Sequence, residues 1–232
     1  MEKIEYNGVV LNIPKRYVNN NLLSRFNKHT YEKDELSLIN YLNKDDNVLE
    51  LGSCLGYLSV LVSKKVKNII SIEANPELSN SLELTKKNNN CLNLNFINTI
   101  IDKENINKEM FTYDLIVAGS ADRDDKYNPD YNNKWNKNIK KYNIETTSIE
   151  SLENDYSINF NTLLIDIEGG ELNFFRQYKH YIKTNITKII VELHGRLMND
   201  SNYDSKCLNI LKDCGFNIVS RNNGSFFLVN NK

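Results

Sequence analysis

The 232-residue chain reads as an α/β domain whose mostly parallel, doubly wound sheet finishes in an antiparallel edge hairpin. Three observations predict this class. Short apolar runs alternate with helix-like segments, the pattern of successive βαβ units. One run leads straight into a glycine-bearing turn and an apolar helix, as the first unit of a nucleotide-binding sheet does. The last two runs flank Asn223-Gly224, a strong hairpin signal.

Residues 1–30 read as an irregular or partly helical lead-in, broken by Pro14 and the Asn19–Asn21 run. Tyr31–Leu42 carries Leu36, Ile39, Tyr41 and Leu42 at roughly helical spacing and stops at the Lys44-Asp45-Asp46 turn. Strand-like runs follow at Val48–Leu51, Ile69–Ile72, Leu94–Ile97, Leu115–Ala118, Leu163–Ile167, Ile189–Leu193, Phe216–Val219 and Ser225–Val229. Helix-like segments lie between them at Leu55–Lys65, Pro76–Asn88, Glu171–Tyr181 and Ser205–Cys214. In Pro76–Asn88 the acid Glu77 comes early and Lys86 and Lys87 come late, which suits the helix dipole. Ala121–Asn143 breaks the rhythm. It is polar, carries Tyr127, Tyr131, Trp135 and Tyr142, and reads either as a lid over a polar acceptor or as a solvated insertion. The organisation expected is a lead-in over 1–30 and one domain over 31–232 with a polar insertion near 113–143.

Composition narrows the function classes. With 29 basic and 30 acidic residues the net charge is -1, so no electrostatic footprint for nucleic acid is expected. A mean hydropathy of -0.53 is offset by 40% hydrophobic and 10% aromatic residues, which favours a packed globule over disorder. Cys54, Cys91, Cys207 and Cys214 form no CxxC pair, and no basic-then-apolar leader or membrane-length apolar run is present. A cytoplasmic setting without a membrane span is the expectation, and the oligomeric state stays open. The 39 Asn, 23 Lys, 23 Ile and 13 Tyr residues reflect A/T-rich coding rather than a special polymer.

The most informative stretch is Val48–Tyr57, VLELGSCLGY. Gly52 allows a sharp turn, Gly56 lets the helix start lie close to a ligand, and Glu73 ends the next strand-like run. A carboxylate at that strand end accepts hydrogen bonds from ribose hydroxyls. Cys54 occupies the place where a dinucleotide turn wants its second glycine, and no ATP-type phosphate loop is present. A ligand with ribose and adenine but no phosphate fits better, which selects S-adenosylmethionine. Glu50, Gly52, Ser53, Gly56, Tyr57, Glu73 and Asp166 are the residues expected to bind it.

VLELGSCLGYLS at Val48–Ser59 and IEANPEL at Ile72–Leu78 resemble the first two motifs of class I methyltransferases. IETTSIESL at Ile144–Leu152, LLIDIEGGELNFF at Leu163–Phe175 and IIVELH at Ile189–His194 resemble the FkbM methyltransferase family, whose hallmark is an I-D-x-E-G-x-E strand end. YEKDEL at Tyr31–Leu36 is similar to that family's helix ahead of the first motif. Glu50 stands where Asp is common, and Cys54 where Asn or Gly is common. The resemblance implies a Rossmann-like fold, S-adenosylmethionine as donor and O-methyl transfer to a hydroxyl of a sugar, a glycan or a secondary metabolite.

Methyl transfer to oxygen needs positioning and a route for the hydroxyl proton. Asp166 and Glu168 bracket one strand end, and Glu192 and His194 stand in the same relation on the next. His194, with an ordinary pKa near neutrality, is the expected base. Asp166 is the alternative base or a ligand for the donor's ammonium, and Glu168 binds acceptor hydroxyls or caps the following helix. Glu171 reads as ordinary first-turn stabilisation of that helix. Mg²⁺ is possible but not favoured, because the set has no diagnostic spacing. For the fourth core strand Leu163–Ile167 is preferred over Tyr113–Gly119, because it ends in these carboxylates. A non-catalytic nucleotide-binding protein, the rival reading, has no use for Asp166, Glu168 and His194.

Overall fold

A computed structural model describes residues 1–112 and 140–230. The Leu115–Ala118 run, its Tyr113–Gly119 extension, Tyr127, Tyr131 and Trp135 lie outside the described residues.

The elements run β1 (Glu2–Tyr6), β2 (Val9–Ile13), α1 (Asn20–Asn27), α2 (Lys33–Leu38), β3 (Asn47–Leu51), α3 (Tyr57–Ser63), β4 (Asn68–Glu73), α4 (Ser79–Asn88) and β5 (Leu94–Asn98). They continue with β6 (Ile100–Ile101), β7 (Asn107–Thr112), β8 (Lys140–Thr147), α5 (Ile149–Tyr156), β9 (Thr162–Ile165), α6 (Glu171–Gln177), α7 (Lys179–Asn185), β10 (Lys188–Glu192), α8 (Tyr203–Asp213), β11 (Asn217–Asn222) and β12 (Ser225–Val229). The central sheet has the order β11-β12-β10-β9-β3-β4-β5. All its pairings are parallel except those of β12 with β10 and β11. This is the expected Rossmann-like sheet with an antiparallel edge, and β9 lies directly beside β3, in the place expected for Leu163–Ile167.

Both faces of the sheet are covered, which is why its strands read as continuous apolar runs. Val48, Leu164, Ile190 and Phe227 face a core built with the N-terminal segment, α3 and α4. Leu49, Leu51, Leu163, Ile165 and Val191 face a second core with α6, α7 and α8. Among the described residues no helix is long and apolar enough to cross a membrane.

Four local structures depart from the sequence reading. The lead-in is ordered: β1 and β2 form an antiparallel hairpin around Asn7-Gly8, whose φ angles of +46° and +76° suit a tight hairpin turn. The Asn19–Asn21 run starts α1 rather than breaking the chain, because the Asn19 side chain accepts from the Leu22 N–H at 3.0 Å. Lys140–Thr147, the end of the polar excursion and beyond, is a strand paired antiparallel with β7. The helix expected over Glu171–Tyr181 is also two helices joined at Tyr178, so that Phe174 and Phe175 from one and Tyr181 and Ile182 from the other all reach the core.

Candidate active site

The turn after β3 is built by close backbone approach. Gly52 has φ +87°, and a Cβ there would sit 1.7 Å from the Asp166 carbonyl oxygen, so the exits of β3 and β9 touch only because no side chain intervenes. The Gly52 and Ser53 N–H groups both donate to the Ile72 carbonyl, at 2.9 and 3.1 Å, which ties the turn to β4. Cys54 follows in the left-handed region at φ +49°, where Asn or Gly sits with less strain. Its N–H donates to Glu73 Oε2 at 2.7 Å, while the Asn75 N–H donates to Oε1 at 2.8 Å. Glu73 therefore organises the turn, and burial pushes its carboxyl up to about 7 against those two hydrogen bonds.

Glu50 is 2% exposed and accepts from the hydroxyls of Ser59 and Ser71 through one oxygen, bracing β3 against α3 and β4. Burial pushes it up to about 7 as well, with both hydroxyls opposing the shift. Gly56 differs from its expected role. A Cβ there would meet Leu82 at 2.9 Å and Phe96 at 3.0 Å, so the missing side chain serves packing of the helix start rather than room for a ligand. Tyr57 is buried against Tyr6 and Tyr31 and accepts from the Asn7 amide at 3.4 Å. Ser53 Oγ is buried and has no hydrogen-bond partner. Glu50, Ser53 and Tyr57, with Gly52 and Cys54, line a narrow cleft that Glu32, Glu35 and Asp166 also reach.

A second, wider cavity of about 1460 Å³ opens along the carboxyl ends of β9 and β10, and Glu32, Glu35 and Asp166 line it too. The two spaces thus share three carboxylates. Asp166 leaves the end of β9, Glu168 follows at φ +52°, and Glu192 and His194 come from the end of β10. His194 is 2% exposed. Its Nδ1 lies 2.9 Å from Glu171 Oε1. Its Nε2 lies 3.6 Å from Asp166 Oδ1 and 3.8 Å from both Glu168 Oε2 and Glu192 Oε2. Glu171, fully buried, also accepts from the Gly169 N–H at 3.1 Å and from the Tyr203 hydroxyl at 2.8 Å.

Electrostatics follow from this crowding. Burial alone would lower the His194 imidazole, but the Glu171 hydrogen bond and the facing carboxylates outweigh it and push it up to about 10. Near-neutral titration, the reason for expecting His194 as base, is therefore absent from this arrangement. Burial raises Asp166 well above the carboxylate range; the imidazole opposes this, and Glu192 and Glu168 add to it. Glu32, in the left-handed region at φ +51°, is pushed up to about 8 by burial and by Glu35.

The structure brings His194, Asp166 and Glu168 together at one edge and places Glu50, Gly52, Ser53, Tyr57 and Glu73 around the adjoining turn. Three participants escape the sequence reading. Glu32 and Glu35, three residues apart, reach the site from the start of α2, a signal present in YEKDEL. Glu171 is the last acid of the I-D-x-E-G-x-E hallmark, and it holds His194 rather than merely opening a helix.

Residues 48–218 match the methyltransferase FkbM domain. No curated protein is matched. Among solved structures, protein PH0793 of Pyrococcus horikoshii shares the fold at a TM-score of 0.51 and 12% identity, over 98% of this chain and 69% of that one. Trm5b of Pyrococcus abyssi aligns at 0.49 and 11% identity, over 97% of this chain, which spans 53% of the Trm5b chain. A SAM dependent methyltransferase of Aquifex aeolicus aligns at 0.46 and 9% identity, over 92% of this chain and 94% of that one. The matched stretch takes in the glycine turn after β3 and the acid–histidine edge alike, and by it this chain belongs to the FkbM methyltransferase family.

Proposed function

We propose that the chain is an S-adenosylmethionine-dependent O-methyltransferase whose acceptor is a hydroxyl of a sugar or glycan. The observation that carries this reading is Asp166. It lines both the donor-turn cavity and the acidic cavity, and its buried Oδ1 has no hydrogen-bond partner. A group so placed meets donor and acceptor at once.

The turn suits the donor. Each Glu73 oxygen takes one backbone N–H and keeps a lone pair for a ribose hydroxyl. Ser53 Oγ is a buried polar atom in want of a partner, and Tyr57 supplies an aromatic wall. When bound, S-adenosylmethionine supplies an electrophilic methyl group on a sulfonium. The chain's own residues orient the acceptor and handle its proton. Glu32, Glu35, Glu168 and Glu192 offer hydrogen-bond acceptors to a polyol. With the imidazole already protonated near neutrality, the acceptor's hydroxyl proton passes to a strand-end carboxylate, Asp166 or Glu168, and Glu171 holds the imidazole in place beside them.

Calorimetry with S-adenosylhomocysteine, followed by labelled methyl transfer to a panel of sugars, glycans and small secondary metabolites, tests the reading. Saturable donor-product binding and label on a glycan hydroxyl are expected. Absence of binding ends it, and label on a small metabolite moves the acceptor class. His194→Ala removes the cation facing the carboxylates and should lower turnover while sparing donor affinity; unchanged turnover takes the imidazole out of the reaction.

A further inference from the structure

We propose that Asp166, Glu192 and His194 bind one divalent transition-metal cation at the carboxyl edge of the sheet. The imidazole carries the argument. His194 is 98% buried, being 2% exposed, and its Nε2 points into the carboxylates without a hydrogen bond to any of them, so that a bound ion takes the place of the Nε2 proton. Gaps of 3.6 Å to Asp166 Oδ1 and 3.8 Å to Glu192 Oε2 are too long for direct bonds. They are close to the spread of ligand atoms around one ion, since two ligands each about 2.1 Å from a metal lie about 3.0–3.5 Å apart. One ligand atom from each of the three residues falls within 4.8 Å of the others. Asp166 Oδ1 is buried and has no hydrogen-bond partner.

The surroundings match a metal centre. Glu171 takes the other imidazole nitrogen at 2.9 Å, the outer-shell carboxylate that fixes the ring of a metal-bound histidine. Tyr203 and the Gly169 N–H fix Glu171 in turn. A donor set of one imidazole nitrogen and two carboxylate oxygens favours Mn²⁺, Co²⁺ or Zn²⁺ over Mg²⁺ or Ca²⁺, which take oxygen shells. Three protein ligands leave positions open towards the cavity of about 1460 Å³. The role of the ion rests on the reading of methyl transfer to a hydroxyl; its binding does not. An acceptor hydroxyl ligating the ion becomes more acidic and gives its proton to Glu168. The oxygen then bonds to the methyl carbon as the sulfur–carbon bond breaks and the sulfonium becomes a neutral thioether.

Chelator-treated protein titrated with Mn²⁺ alone, with the free ion followed by electron paramagnetic resonance, tests this without donor or acceptor. One Mn²⁺ per chain is expected, with affinity falling at least about tenfold in His194→Gln and in Glu192→Gln. Glu171→Gln, which keeps every ligand, is expected to weaken binding about 10- to 100-fold. No saturable uptake, or unchanged affinity in Glu192→Gln, overturns the site. Glu192 is only part-buried, so its variant decides the matter if His194→Gln does not fold. S-adenosylhomocysteine binding measured in parallel separates the two ideas. Retained binding without Mn²⁺ uptake sinks the metal alone, and lost binding in the wild type sinks the proposed function.

Discussion

Replacing Glu171 by glutamine separates charge from shape at the buried edge. With its Oε1 in place, the new side chain still accepts from His194 Nδ1 and from the Gly169 N–H. Its amide N–H donates to the Tyr203 oxygen, and the Tyr203 proton turns to the Gly169 carbonyl, already 2.6 Å away. No buried polar atom is orphaned, so the fold is retained. What disappears is the charge. A hydrogen bond to a charged group contributes about 1.5–3 kcal/mol against about 0.5–1.5 for a neutral pair, so the loss is about 1–2 kcal/mol. That corresponds to a fall of about one pH unit in the His194 midpoint.

His194 titrates at about 10 in the fold against 6.5 for an ordinary histidine. A raised folded value gives stability that is fully present below about 6.5 and lost as pH rises through about 10. The variant should therefore be less stable than the wild type by about 1–2 kcal/mol near neutrality, with the gap shrinking at alkaline pH. Urea unfolding of both proteins in chelator at about pH 7 and about pH 10.5 reads the gap. Imidazole NMR reads the midpoint, with only three histidines to resolve. An identical His194 midpoint in the two proteins, or a gap that widens at high pH, refutes the reasoning.

Glu73→Ala removes the acceptor of two backbone N–H groups and the expected ribose contact; calorimetry should show at least about tenfold weaker S-adenosylhomocysteine binding, and unchanged affinity removes the assignment. Cys54→Gly relieves a side chain held at φ +49° and should stabilise by about 1 kcal/mol in thermal unfolding; a loss instead means that the 3.6 Å Tyr31–Cys54 contact matters more than the strain. Gly52→Ala places a Cβ against the Asp166 carbonyl and should cost more than about 4 kcal/mol or prevent folding, and a melting curve like the wild type's contradicts the close approach. Glu50 and Glu73, both raised to about 7, contribute stability that is present below about 4.5 and lost as pH rises through about 7. Urea midpoints should therefore be higher at about pH 5.5 than at about pH 8, and Glu50→Gln should narrow the difference; equal wild-type midpoints count against the buried-acid account.

Much of the sheet was readable because parallel strands buried on both faces leave uninterrupted apolar runs, as in Val48–Leu51, Ile69–Ile72 and Ile189–Leu193. The glycine turn after β3 was readable because a strand and a glycine at its end must recur at set spacing. Asn223-Gly224 marked one hairpin; Asn7-Gly8 is the same signal, between an alternating Glu2–Tyr6 and an apolar Val9–Ile13, and the breakers Pro14 and Asn19–Asn21 that follow it hid β1 and β2. Lys140–Thr147 alternates exposed Lys141, Asn143 and Glu145 with inward Tyr142, Ile144 and Thr146, a period of two that the polar run ahead of it, of which Lys140–Asn143 is the end, obscures.

By itself the amino-acid order determined the α/β class, the glycine turn after β3, the family resemblance and the acids and histidine that gather at the strand ends. These are local or strictly periodic properties, set by burial of alternate positions and by glycine where the backbone must turn sharply. Only the tertiary structure decided what those residues mean to one another. Glu32 and Glu35 reach the site from a helix more than a hundred residues before Asp166, and Glu171 proves to be the partner of His194. Burial moves the imidazole away from neutrality. Protonation and ligation depend on distances across the sheet edge and on the loss of water there, and neither is written in sequence spacing.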